Sequence, residues 1–356
     1  MSAANERLTV CVGAGGVGKT TVAAALALAR ARRGERVAVV TIDPAPALAR
    51  ALGFDSLGGD PQRVEGAGEL WALRLDAKRT LDELISSLAA DEGARDRALS
   101  NRIYRELSAA VAGSQEFSAV AKLYELDRSG LYDAIVLDTP PSRNALDFLD
   151  APARLMRFFD GRAARVLMSQ GGSATRVAAR AGAPLLGVLG RLAGAGVLRE
   201  IVAFFTAIGG MVEGLGARAA AVEALLHDPA TSFVLVTSPR REAVEEAIAF
   251  AAALAEARLP LSALTVNRVH TATQGDADGS LDALLGARLA ELVRESVREL
   301  AGRAAADGDS LARLRAALPG LPTILVPELG GELSNLAELD RLGAYLNSVD
   351  SPSVAQ

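Results

Sequence analysis

Gly13, Ala14, Gly15, Gly16, Val17, Gly18, Lys19 and Thr20 follow a short apolar run at residues 8–12 and precede an Ala- and Leu-rich stretch at 20–33. The pattern is a glycine, four residues, then Gly-Lys-Thr. Glycines let the backbone turn so that several N–H groups face one point, and a helix start adds positive potential there. Such a cradle holds phosphate oxygens. In this pattern Lys19 would reach the β- and γ-phosphates of a nucleotide, Thr20 would ligate Mg2+, and Thr21 would add a phosphate contact. Gly13, Gly15 and Gly18 also satisfy G-x-G-x-x-G, and Asp43 stands 25 residues beyond Gly18, near where a ribose-binding acid would be. Lys19-Thr20 weighs against a dinucleotide, because that fold needs no charge at the helix start. Only three of the 38 basic residues are lysines (19, 78 and 122), and one of them lies in this loop.

Two acids could act on the same ligand. Residues 134–137 form an apolar run that ends in Asp138. Ligands of parallel sheets sit at the carboxyl edge of the strands, where this carboxylate could hold Mg2+ through water. Asp43 follows the β-branched run at 36–42 and precedes Pro44 in the same way. Facing a γ-phosphate, it could orient or deprotonate an attacking water.

These strands need a scaffold. Apolar runs at 8–12, 36–42, 71–75, 134–137, 233–237, 263–269 and 323–326 read as strands. Helical stretches at 20–33, 78–90, 96–112, 117–127, 241–257, 281–303 and 333–346 separate them, and 271–280 reads as a loop. Strands alternating with helices predict an α/β fold, a mostly parallel sheet covered by helices on both faces. Residues 147–227 interrupt the alternation without a convincing strand. The expected organisation is a nucleotide-binding domain from 1–146 and 228–348, an α-helical insertion at 147–227, and a tail at 349–356.

Composition narrows the function. The chain has 356 residues, half of them hydrophobic and 23% charged, which excludes disordered, collagen-like and disulfide-rich classes. One cysteine, Cys11, excludes internal disulfides and a CxxC zinc clip. Two histidines, His227 and His270, leave little for a His-rich metal site or a His-based triad. A net charge of -5 argues against a nucleic-acid partner. The first residues, MSAANERL, are polar, so no signal peptide is expected and the chain reads as cytoplasmic. Residues 151–199 run the other way, with eight arginines against one acid, Asp160. The stretch 184–211 is strongly apolar, but Arg191, Arg199 and Glu200 argue against a membrane span.

GAGGVGKTT, the TIDPA segment at 41–45 and LDTPPSRNALDFL at 137–149 together resemble the ArsA/Get3-type ATPases, of the deviant Walker A class of dimeric P-loop NTPases. The likeness is nearest to the anion-transporting-ATPase-like proteins of actinobacteria. It implies an Mg-ATP-dependent ATPase whose hydrolysis moves two switches, beginning at Asp43 and at Asp138. Asp43 would be the water-activating carboxylate. The resemblance also implies adenine contacts at Asn267, Pro327 and Glu328. It implies a dimer, either of identical chains or with a related ATPase.

The chain departs from that pattern in three places. The class carries a lysine after the first glycine of the loop, which reaches the partner's nucleotide; here the residue is Ala14. Arg143 is the nearest substitute by sequence, as an arginine finger. An ATP-binding regulatory module with little turnover therefore stands as the alternative, and an NAD(P)-binding enzyme as a remoter one. The dimer-joining zinc CxxC and the metalloid-binding cysteines are also missing. In Get3-like proteins the region matching 147–227 forms an apolar groove for client segments. Here it could serve a protein client, or its arginines could meet an anionic membrane surface; packing of its apolar residues on one another is the competing reading.

Overall fold

The computed structural model describes residues 6–102, 104–105, 111–140, 211–271, 280–330 and 335–347. The described strands are β1 (Leu8–Gly13), β2 (Val37–Thr41), β3 (Gln62–Arg63), β4 (Leu70–Arg74), β5 (Ala134–Asp138), β6 (Thr231–Thr237), β7 (Leu261–Val269) and β8 (Thr323–Pro327). The described helices are α1 (Lys19–Arg32), α2 (Ala47–Ala51), α3 (Ala77–Leu88), α4 (Glu92–Ser100), α5 (Val111–Ser129), α6 (Val212–Leu226), α7 (Arg241–Glu256), α8 (Ser280–Leu285), α9 (Ala287–Ala317) and α10 (Leu336–Asn347).

The strands form one sheet in the order β3-β4-β2-β5-β1-β6-β7-β8. Each pairing is parallel except β3 with β4. The inner strands are buried on both faces, which is why they read as unbroken apolar runs. Alternation still assigns the faces. Leu8, Val10 and Val12 of β1 join Val40, Leu137 and Phe233 under α5, α6, α7 and α9. Cys11 joins Val39, Val136 and Val234 on the opposite face, under α1, α2 and α10. Helices α1 and α10 pack on each other, and Gly343 of α10 lies against α1: a Cβ there would sit in ordinary van der Waals contact with that of Ala29, at 3.5 Å.

The fold expectation holds: an α/β sheet of P-loop NTPase type, mostly parallel and covered on both faces. Some boundaries differ. The helix expected at 96–112 begins at Glu92, where the Asp91 side chain accepts a hydrogen bond from Ala94 N, and stops at Ser100. Asn101 is extended, and its side chain accepts from Tyr104 N, as a new helix start would require. The helix expected at 281–303 is two, α8 and α9, split at Gly286 with φ 75° and ψ 154°. Helix α9 then runs on past Gly302 and Gly308 to Ala317 because Leu311 and Leu314 pack against the sheet. Propensity alone would have ended it earlier.

Residues 141–210 lie outside the described residues; they include Arg143 and, of the expected insertion, residues 147–210 with the arginine-rich part. Helix α6, its described end, packs on the sheet domain. Val222 and Leu226 join the core, and Arg218 donates to Ser87 Oγ at 3.0 Å while lying over the Tyr124 ring. Among the described residues no helix is long and apolar enough to cross a membrane.

Candidate functional site

Register places the site. Asp138, the last residue of β5, is level with Cys11 of β1 and Thr41 of β2. Three strand ends therefore deliver the phosphate-type loop, Asp43 and Asp138 to one edge of the sheet. β1 and β2 are not neighbours, since β5 lies between them, and a crevice opens where connections part in this way.

Three of the loop's glycines are needed where they stand. Gly13 has φ 146°, and a Cβ there would collide with the Val236 carbonyl oxygen of β6. Gly16 and Gly18 have φ 74° and 93°, and a Cβ on Gly18 would collide with the Asn267 amide. Gly18 then caps α1 without a side-chain bond, so the first N–H groups of the helix stay available to an anion. Gly15 and Gly16 are exposed, Val17 is buried, and Thr20 and Thr21 are half-buried at the helix start.

Asp138 is wholly buried. Its Oδ2 accepts hydrogen bonds from Thr20 Oγ1 and Thr41 Oγ1, each at 2.8 Å. Its Oδ1 is buried with no hydrogen-bond partner among the described residues. An orphaned carboxylate oxygen is costly unless a cation or water satisfies it. Burial pushes the Asp138 carboxyl up to about 6, while the two threonine hydroxyls and the Lys19 charge pull it down. Lys19 is buried, and its Nζ donates to the Ala14 carbonyl oxygen at 2.7 Å. Burial lowers the Lys19 ammonium below its ordinary range, opposed by Asp138 and Asp43.

Asp43 is half-buried. Its backbone N–H donates to Thr41 Oγ1 at 3.2 Å and its Oδ1 accepts from Ala45 N at 2.9 Å. The carboxylate thus sits in a turn fixed at both ends, close enough to Lys19 and Asp138 to act on both charges. On the far side, Asn267 Nδ2 donates to the Val17 carbonyl oxygen at 2.9 Å, and its Oδ1 accepts from Arg268 N. Arg268 has φ 63°. Pro327 is paired in register with Val269, and Glu328 N donates to Val269 O. Asn267, Pro327 and Glu328 thus lie at neighbouring strand ends on the loop's edge of the sheet.

The structure therefore brings together Gly13, Gly15, Gly16, Val17, Gly18, Lys19, Thr20, Thr21, Asp43 and Asp138, with Asn267 tied to the loop. Sequence reasoning missed Thr41, although its place two residues before Asp43 at a strand end was a signal. It also missed Thr139, whose hydroxyl donates to Cys11 O at 2.8 Å and ties the residue after Asp138 to β1. Cys11 is free and buried, and burial raises its thiol far above the ordinary value, as befits a core residue.

The donor set fits Mg2+. A threonine hydroxyl and an orphaned carboxylate oxygen are hard oxygen ligands, and a metal of this kind needs one or two protein groups beside phosphates and water. A glycine cradle at a helix start, a buried lysine and an acid on the adjacent strand define a P-loop nucleotide-binding protein. The family model for anion-transporting ATPases matches residues 6–283, and the chain belongs to that family.

The chain is also similar to the ATPase GET3 of Podospora anserina, 31% identical over 143 residues, 40% of this chain and 42% of the relative. The ATPase get3 of Neurospora crassa is 30% identical over 143 residues, with the same shares. The ATPase GET3 of Malassezia globosa is 32% identical over 145 residues, 41% of this chain and 42% of the relative. The matched part of the chain thus spans about two-fifths of the length of these curated relatives. Family membership sets the chain among P-loop ATPases and apart from the dinucleotide-binding proteins that the glycine spacing also permitted.

Proposed function

We propose that the protein binds Mg-ATP at this loop and hydrolyses it, and that the two strand-end acids couple the γ-phosphate to movement of the segments that follow them. The observation that carries this reading is the buried Asp138 carboxylate. One oxygen is held by Thr20 and Thr41 and the other has no hydrogen-bond partner among the described residues, beside a buried Lys19.

The loop N–H groups and Lys19 would bind the phosphate chain. Lys19 would exchange its bond to Ala14 O for phosphate oxygens, a stronger charge-assisted contact. Thr20 and Asp138 would hold Mg2+, which when bound neutralises charge on the transferring phosphate. Asp43, fixed by Thr41 and Ala45, would orient the attacking water and accept its proton. The tie between Asn267 and Val17 supports adenine contacts by Asn267, Pro327 and Glu328 on the loop's far side. Arg143 keeps its proposed role as a cation in the second switch. Phosphoryl transfer is mostly positioning and charge stabilisation, so this small set is sufficient.

The resemblance supports a dimer, of identical chains or with a related ATPase, whose nucleotide state governs a client or an anionic membrane surface. A second reading, an ATP-binding module with little turnover, is favoured by Ala14, where a methyl group stands in place of the family's lysine. Phosphate release from Mg-ATP distinguishes them. Asp43→Asn is expected to lower kcat by ~10²–10⁴-fold with little change in ATP affinity. Lys19→Ala is expected to weaken ATP binding by roughly 100-fold. No release by the wild-type chain with ATP affinity retained selects the binding module.

A further inference from the structure

The turn after β6 crosses beside the phosphate loop. β6 is parallel to β1 with Val236 level with Gly13, so Ser238, Pro239 and Arg240 leave the sheet at the same edge as the loop. Arg240 stands just before α7 with extended backbone, φ −63° and ψ 136°. Its Nη2 lies 3.9 Å from where a Cβ on Gly16 would be, and Gly16 is an exposed residue in the middle of the loop. Arg241 behaves otherwise: its guanidinium pairs along its own helix with Glu245 at 3.2 Å.

The setting makes a cation at Gly16 informative. The loop presents N–H dipoles, and Lys19 is buried nearby with the acids Asp138, Asp43 and Glu246 acting on its charge. Among the described residues Arg240 has no carboxylate partner. A guanidinium with no carboxylate partner of its own, held beside the exposed middle of the loop, is placed for an anion that arrives.

We infer that Arg240 is a phosphate-binding residue: its guanidinium contacts the polyphosphate of a bound nucleoside triphosphate at Gly16, in the same chain as the loop. This rests on the nucleotide reading proposed above. Arginine suits the task because its planar donors grip phosphate oxygens in pairs and it is always charged. It supplies in cis a cation on a loop whose second residue, Ala14, offers only a methyl group.

The experiment is calorimetric titration of Mg-ATP into the full chain as wild type, Arg240→Ala, Arg240→Gln, Arg240→Lys, Arg241→Ala and Lys19→Ala. Melting temperature without nucleotide is measured in parallel. Arg240→Ala and Arg240→Gln are expected to weaken Mg-ATP roughly tenfold or more, Arg240→Lys less, and Arg241→Ala within about twofold. All Arg240 variants should melt like the wild type, since the side chain is exposed. A wild type that binds Mg-ATP and loses it in Lys19→Ala, while Arg240→Ala and Arg240→Gln bind unchanged, overturns the inference and leaves the nucleotide reading standing. A wild type that does not bind Mg-ATP overturns both.

Discussion

At the residue scale, the site is built on a conflict. Burial disfavours the charge of Asp138, yet two hydroxyls and an ammonium are arranged to keep it. The conflict has a consequence for the metal-free protein. The folded carboxyl titrates near 6, against an ordinary value of 3.8. Between those values the folded chain keeps a proton that the unfolded chain releases, so stability falls as pH rises. The contribution is fully present below about 3.8 and lost as pH passes about 6, on the order of 3 kcal/mol at ~1.4 kcal/mol per unit. Chemical denaturation without Mg2+ should show this loss between pH 4 and 7 as a difference between wild type and Asp138→Asn. Identical pH profiles for the two would refute it. Mg-ATP added at pH 7.5 should restore wild-type stability and do little for the variant.

At the element scale, two glycines test how the loop is held. Gly13 faces the backbone of β6 and Gly18 faces a side chain of β7. The Gly13→Ala Cβ meets a carbonyl that cannot move without breaking the β1–β6 ladder, so the variant should lose several kcal/mol or fail to fold. Gly18→Ala meets the end of Asn267. It should cost about 1–3 kcal/mol, and Asn267→Ala should recover part of that, the positive φ strain remaining. Urea denaturation of the two single variants and the double variant measures this. Equal losses for both glycines, or no recovery in the double variant, would contradict the packing described. Much of this scale was legible beforehand. The seven long strands announce themselves because each is apolar on both faces. The two-residue β3 and five-residue α2 were not visible, because elements so short carry no periodicity. The break at Gly286 was hidden because leucines continue the helical pattern through it.

At the scale of the whole molecule, the sheet is a platform with its chemistry on one edge, and the two acids lead into the segments expected to move. If the γ-phosphate sets those segments, a second chain should respond to it. Sedimentation with Mg2+ and a non-hydrolysable ATP analogue is expected to show dimer, with less dimer in ADP and none gained by Lys19→Ala. A mass that ignores the nucleotide would sink the dimer proposal.

What could be read from the chain alone were the groups with a local signature. The loop spacing, the acids that end apolar strands and the alternation of strands with helices each depend on neighbours in sequence. Thr20 and Asp138 are 118 residues apart, Thr41 and Asp138 are 97 apart, and Asn267 lies 250 residues from Val17. Nothing local encodes those meetings. They arise because parallel pairing through β5 sets distant strand ends level, and because burial of the core fixes that register. The same packing lays Arg240 beside Gly16, a cation that no motif marks and that only the pairing of β1 with β6 brings to the glycine loop.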